Sequence, residues 1–122
     1  AETLLKFVGL HQKRKLRAGD LSFGQQKLLE LAMALMNEPK MLLLDEPTAG
    51  INPTLINGII DRLIQVNKEY GITFLVIEHN MKVIMNLAHK VFCLAHGKML
   101  ANGTPEEIRN DKRVLDAYLG AQ

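Results

Sequence analysis

Two adjacent carboxylates, Asp45 and Glu46, directly follow the apolar run at residues 41–44. A short continuous apolar run is typical of a strand covered on both faces, as in the parallel sheets of α/β proteins. Ligands of such sheets bind beyond the carboxyl ends of the strands. There an aspartate can hold a magnesium ion beside a phosphate, and a glutamate can orient or deprotonate a water molecule. On residue types alone, it is equally acceptable that the pair only caps a turn with Pro47 and Thr48.

A second buried run, residues 72–77, is followed by Glu78 and His79. Because parallel strands end at the same edge of a sheet, we expect His79 to lie near Glu46, where it could contact a terminal phosphate.

A further candidate site for binding a phosphate begins at Ser22. Its hydroxyl and the free N–H groups of a helix start can form an anion site, and Gly24 would allow close approach by a phosphate. Ser22 and Gln25 also fit a capping box, and judged alone the capping interpretation is the stronger of the two.

Hydrophobic periodicity predicts the elements that position these residues. The order strand, helix, strand, helix, strand favours a largely parallel sheet flanked by helices. The expected helices cover residues 3–10, about 22–37, 53–70 and 81–88, followed by a tail helix closed by Gly120, and residues 90–101 form a strand, a turn at His96-Gly97 and another strand. We expect the helix ending near Asn37 to be buried on most faces, since apolar residues occur on nearly every side of it.

Composition sets broad limits on the class of protein. The 122 residues carry a net charge of +2 and are 48% hydrophobic, which indicates a globular domain and too little charge for a surface built around nucleic acid. The basic run at residues 11–17 is better explained as a solvated loop. No apolar run approaches the ~20 residues that would cross a bilayer. The single Cys93, in an apolar stretch, suggests a reducing compartment.

Three segments together resemble the ATP-binding subunit of ABC transporters. They are "LSFGQQ" at residues 21–26, "MLLLDEPTAGINP" at residues 41–53 and "LVIEHN" at residues 75–80. They are similar in order and spacing to the family's signature motif, its Walker B strand with D-loop, and its switch-histidine segment. Phe23 stands where the signature usually has a glycine, and Asn52 stands where the D-loop usually has an aspartate.

The resemblance implies a fold class and a domain organisation. The expected fold is the C-terminal part of an α/β P-loop NTPase (RecA-like) three-layer fold with parallel strands, plus part of the ABC helical subdomain. Residues 1–37 would belong to the helical subdomain with the signature motif, and residues 38–122 to the ATP-hydrolysing core.

The resemblance also implies roles for individual residues. Family members bind ATP and Mg²⁺ between two subunits, so Ser22, Gly24 and Gln25 would serve the partner's nucleotide and Asn52 would lie at the interface. Asp45 would hold the metal ion. Glu46 would act as the base or water-positioning group, and His79 would steady the transferred phosphate.

The tail "ANGTPEEIRNDKRVLDAYLG" and the stretch "VIEHNMKVI" are similar to subunits that energise import of branched-chain amino acids. The implied partners are a second ATP-binding subunit and transmembrane permease subunits, with no nucleic acid. The implied location is the cytoplasmic face of the membrane. Three alternatives stay open: a subunit for lipopolysaccharide export, a non-enzymatic interaction module, and a DNA-repair type of ATPase.

The phosphate-loop pattern G-x-x-x-x-G-K-S/T does not occur in the 122 residues. The nearest text, around Gly97-Lys98-Met99, lacks both the first glycine and the final hydroxyl. We therefore expect a C-terminal part of an ABC ATPase, without the Walker A motif and the glutamine loop, in which the carboxylates are positioned but idle. We also expect the isolated chain to self-associate through the strand edges and apolar faces left open.

Overall fold

A computed structural model describes residues 1–119, and the chain contacts divide it into two compact units, Ala1–His79 and a second unit that begins at Asn80. The predicted domain boundary at residues 37 and 38 stays a prediction. The first unit contains α1 (Glu2–Phe7), α2 (Phe23–Leu35), β1 (Met41–Asp45), α3 (Pro53–Tyr70) and β2 (Thr73–Ile77), with short 3₁₀ helices at His11–Lys13 and Ala18–Asp20. The second contains α4 (Met81–Leu87), β3 (Val91–Ala95), β4 (Lys98–Gly103), α5 (Pro105–Asn110) and α6 (Lys112–Leu119).

Strands β1 and β2 pair in parallel, with Met41 opposite Thr73 and Asp45 opposite Ile77. The prediction that both strands are covered on both faces is wrong for one face. Leu43 is 71% exposed and Ile77 is 62% exposed, and Leu75 on the same face is half exposed. Alternation along each strand turns these side chains to the same face of the sheet, and their exposure shows that no described element lies closely over that face.

Helix α3 begins and ends at the residues that the sequence indicates. Asn52 caps it, with its side-chain oxygen 3.0 Å from the Thr54 N–H, and Pro53 occupies the first turn. Gly71 ends it in the left-handed conformation, at φ +65°. Its buried face consists of Ile56, Ile59, Ile60, Leu63 and Val66.

Helix α2 begins at the predicted capping box of Ser22 and Gln25. It is not buried on most faces, because Met33 is 63% exposed and Met36 is also exposed. Its buried residues fall on one stripe at helical spacing, Leu28 and Leu29 are partly buried against the same core, and Met33 lies on the uncovered side. The buried set is Gly24, Leu31, Ala32 and Leu35.

The second unit is built on an antiparallel hairpin rather than on a third parallel strand. Strands β3 and β4 pair through the predicted turn, where His96 and Gly97 have φ values of +50° and +73°, as a type I′ turn requires. Thr104 and Glu107 form a capping box at the start of α5. Gly120, predicted to close the tail helix, lies outside the described residues. The core residues of this unit are Val91, Cys93, Ala101, Ile108 and Val114.

Across residues 1–119, every helix is too short or too polar to span a bilayer.

Candidate functional site

The register of β1 and β2 brings Glu46 and His79 together. Glu46 donates its backbone N–H to the carbonyl of Ile77 at 2.9 Å, which extends the parallel ladder by one bond beyond Asp45. The side chains that follow then meet, with 3.1 Å between Glu46 Oε1 and His79 Nδ1. The expected proximity of these two residues at the carboxyl edge of the sheet is what the structure shows.

The Glu46–His79 contact is solvent-facing. The His79 side chain is 71% exposed and that of Glu46 is 47% exposed, so the contact stabilises the fold by at most about 1 kcal/mol. A carboxylate oxygen can only accept, and therefore the contact requires a proton on Nδ1. Nε2 remains as the second polar atom of an exposed ring.

A turn at residues 46–49 follows β1, closed by the Ala49 N–H and the Glu46 carbonyl at 3.0 Å. Glu46 has a φ of +46°, which is left-handed and uncommon for a residue with a side chain. The turn predicted as the alternative to chemistry is therefore present, but its cap comes from Glu78. One Glu78 carboxylate oxygen, Oε1, accepts from both the N–H of Thr48, at 3.1 Å, and the Thr48 hydroxyl.

Asp45 is the last residue of β1 and is exposed at the edge where Glu46 and His79 lie. No group of three metal-ligating side chains occurs among the described residues. A magnesium site does not need three protein ligands, because the ion commonly takes one or two carboxylates and completes its shell with water and phosphate oxygens. One exposed aspartate at a strand end fits that requirement.

Ser22 and Gln25 are engaged in the start of α2. The Gln25 N–H lies 3.4 Å from Ser22 Oγ, and the Ser22 N–H lies 3.1 Å from Gln25 Oε1. A Cβ at Gly24 would come within 3.0 Å of a methyl group of Leu55. The structure thus gives Gly24 a packing reason for being small, and a contact of Ser22, Gly24 or Gln25 with a phosphate stays a prediction.

Asn52 lies beside this helix start. A Cβ at Gly50 would lie 3.2 Å from the ring of Phe23, so the loop before Asn52 and the start of α2 are in contact. Asn52 Oδ1 accepts from the hydroxyl of Thr54 as well as from its N–H, which makes it the cap of α3. A cavity of about 200 Å³ is lined there by Ser22, Gly24, Gln25, Thr54 and Arg62, among others.

Sequence reasoning placed Glu78 at the strand end but gave it no role, and it did not single out Thr48 as more than a turn residue. Thr48 is only 5% exposed. The available signal was a polar residue, Thr48, in a turn expected to face solvent, together with an acidic residue, Glu78, at the end of the neighbouring strand. The contact itself depends on side-chain geometry across 30 positions of sequence.

Comparison with known proteins places these features in a family. Residues 1–49 match the family described as ABC transporter, and residues 98–122 match the family described as branched-chain amino acid ATP-binding cassette transporter. The high-affinity branched-chain amino acid transport ATP-binding protein LivG of Salmonella typhimurium is 39% identical over 120 residues, which cover 98% of this chain and 47% of LivG. The chain belongs to the ABC transporter ATP-binding family.

Other proteins similar to this chain indicate the same family. The corresponding protein BraF of Pseudomonas aeruginosa is 40% identical over 116 residues, covering 95% of this chain and 46% of BraF. The ADP conformation of MJ1267, an ATP-binding cassette of an ABC transporter, superposes with a TM-score of 0.87 at 34% identity, covering 97% of this chain and 48% of MJ1267. The α/β P-loop NTPase fold class is thereby confirmed. The ABC chain spans about half the length of the curated relatives it matches.

Proposed function

We propose that the chain is part of the ATP-binding subunit of an ABC transporter that couples ATP binding and hydrolysis to import of branched-chain amino acids. The observation that carries the proposal is the Glu46–His79 pair, which lies at the carboxyl edge of a parallel sheet directly after Asp45. The names of LivG and BraF, branched-chain amino acid transport ATP-binding proteins, support the substrate class.

In the proposed reaction a water molecule attacks the terminal phosphorus of ATP in line, the bond from that phosphorus to the bridging oxygen breaks, and ADP and inorganic phosphate leave. Glu46 orients or deprotonates that water, and His79 steadies the transferred phosphate through a ring that is largely exposed. Asp45 provides the protein ligand for a magnesium ion, which neutralises charge on the phosphates when it is bound.

The start of α2 serves a nucleotide held by a second ATP-binding subunit. Ser22, Gly24 and Gln25 lie against its phosphates at the positive end of the helix dipole, and Asn52 lies in the adjoining interface loop. Permease subunits in the membrane receive the resulting movement through residues 1–37. The protein then lies at the cytoplasmic face of the membrane and needs no nucleic acid.

The test is ATP turnover by the complete gene product that contains these residues. Replacing Glu46→Gln is expected to lower kcat by about 10²–10⁴-fold, the usual worth of a general base. ATP affinity should be unchanged, because Glu46 acts on water. Glu69→Gln, an exposed carboxylate on α3, is the matched control and should keep wild-type turnover. Undiminished turnover of the Glu46 variant would reject its role, and a wild-type protein without ATPase activity would favour an interaction module.

For the 122-residue chain on its own we propose self-association. The exposed face of β1 and β2 presents Leu43, Leu75 and Ile77 to solvent, whereas parallel sheets normally have both faces covered. A second copy supplies the same apolar surface. Sedimentation velocity at micromolar concentration should show species larger than a monomer, reduced by Leu43→Lys. A compact wild-type monomer would contradict this proposal.

A further inference from the structure

We infer that Glu78 is a positioning residue for the Glu46–His79 pair, an inference that rests on the proposed ATPase function. Consecutive residues at the end of β2 each hold the turn that carries Glu46. Ile77 accepts from the Glu46 N–H at 2.9 Å, and Glu78 accepts from Thr48. His79 then meets the Glu46 carboxylate at 3.1 Å. Glu78 is thus the middle of three successive attachments between one strand end and one turn.

The turn needs such attachments because of its backbone. Glu46 has a φ of +46°, and a left-handed conformation in a residue with a Cβ persists only where the surroundings determine it. The contact with His79 is exposed and too weak to impose that conformation by itself. The ladder bond to Ile77 fixes the entry to the turn. The part of the turn after Pro47 needs a separate contact to hold it in place.

Glu78 fixes the continuation. Thr48 is 5% exposed, so its backbone N–H and its hydroxyl both require a partner. Both donate to the same Glu78 oxygen. Removing the carboxylate leaves these donors without that acceptor inside a poorly hydrated site, and the turn is expected to move until they find another. Glu46 moves with it, because it lies two residues upstream in the same turn.

Glu78 acts through Thr48 rather than on the nucleotide. Its substitution should therefore change kcat and leave the KM for ATP unchanged. A displacement of about 1 Å in a catalytic group can cost about 10²-fold in rate, and we expect a loss of that order in Glu78→Ala. Glu78→Gln keeps an acceptor oxygen and should retain most of the activity. A residue that served only global stability would not show this separation at temperatures where every variant is folded.

The geometry is tested on the 122-residue chain by the ¹⁵N spectrum of the His79 ring. Glu46→Ala defines the nitrogen shifts of a ring that has lost its acceptor partner. Glu78→Ala is expected to move the His79 shifts at least halfway toward those values, whereas Glu78→Gln and the control Glu69→Ala stay near wild type. If Glu78→Ala does not fold, Thr48→Val, which removes only the hydroxyl donor, takes its place. Wild-type His79 shifts in the folded variant would overturn the inference.

The kinetic arm uses the complete gene product. Glu78→Ala should lose kcat about 10²-fold at constant KM, and adding Thr48→Val should cost nothing more, since both changes break one contact. Additive losses, or an unchanged kcat in Glu78→Ala, would overturn the inference while the proposed function stands. A wild-type protein that does not hydrolyse ATP would refute the proposed function, and the His79 spectrum would then decide the inference alone.

Discussion

Replacing Ser22→Ala removes the oxygen that accepts from the Gln25 N–H at the start of α2. Loss of such a cap costs about 0.5–2 kcal/mol. The bond is 3.4 Å long and exposed, which places the expected loss in the lower part of that range, at about 0.5–1 kcal/mol. The return bond, from the Ser22 N–H to Gln25 Oε1, uses the backbone and remains available to alanine. The melting temperature should fall by about 2–5 °C.

Replacing Ser22→Asp separates the cap from the proposed phosphate contact. Aspartate caps helices as well as serine does, and its charge interacts favourably with the helix N-terminus by about 0.3–1 kcal/mol. The free energy of unfolding should therefore equal or exceed that of wild type. In the complete gene product the same charge would repel a nucleotide phosphate, so we expect ATP turnover to fall steeply although the helix is better capped.

Stability is measured by urea denaturation of the 122-residue chain, followed by circular dichroism. Thr104→Ala is the matched control, because it removes the equivalent oxygen of the second capping box, whose bond from the Glu107 N–H is 3.3 Å long. Its cost should be similar to that of Ser22→Ala. A Ser22→Asp variant as unstable as Ser22→Ala would refute the capping argument. Wild-type ATP turnover in Ser22→Asp would refute the phosphate contact.

Two further predictions concern the second unit. Burial, and to a lesser extent the nearby charge of Asp111, raises the pKa of the Cys93 thiol, so alkylation followed by mass spectrometry at neutral pH should be slow until urea unfolds the chain; rapid labelling of the folded protein would contradict this. The hydrogen bond from Arg113 lowers the pKa of Asp111 below its ordinary value, so its contribution to the free energy of unfolding is present above about pH 4 and is lost as the pH falls through the lowered pKa. Arg113→Ala should raise the Asp111 pKa in an NMR titration, and an unchanged titration would count against the pairing.

Local signals in the sequence were sufficient for the start of α2 and for both ends of α3. The Ser22 box, the Asn52 cap and Gly71 each act within a few residues of their own position, so one stretch of sequence contains both partners of every contact. The meeting of Glu46 with His79 was also predictable, because it follows from parallel pairing alone.

Whether an apolar residue is buried was harder to predict than the type of element in which it lies. Met33 and Leu43 are apolar and occur in apolar patterns, yet both are exposed, since periodicity says which residues can be buried and not whether another element lies over them. The Glu78–Thr48 contact was missed for a related reason. It needs the register of two strands, the left-handed turn at Glu46 and one side-chain conformation together, and no short pattern encodes that combination.

The three contacts that hold the turn at residues 46–49 respond differently to mutation. The Glu46–Ile77 bond joins backbone to backbone, so side-chain substitution leaves it in place. The Glu46–His79 contact is exposed, so changing either residue should alter chemistry at little cost in stability. Thr48 is buried, so breaking its contact with Glu78 should affect both. Measuring unfolding and turnover on the same variants therefore distinguishes residues that perform the proposed chemistry from those that hold them in place.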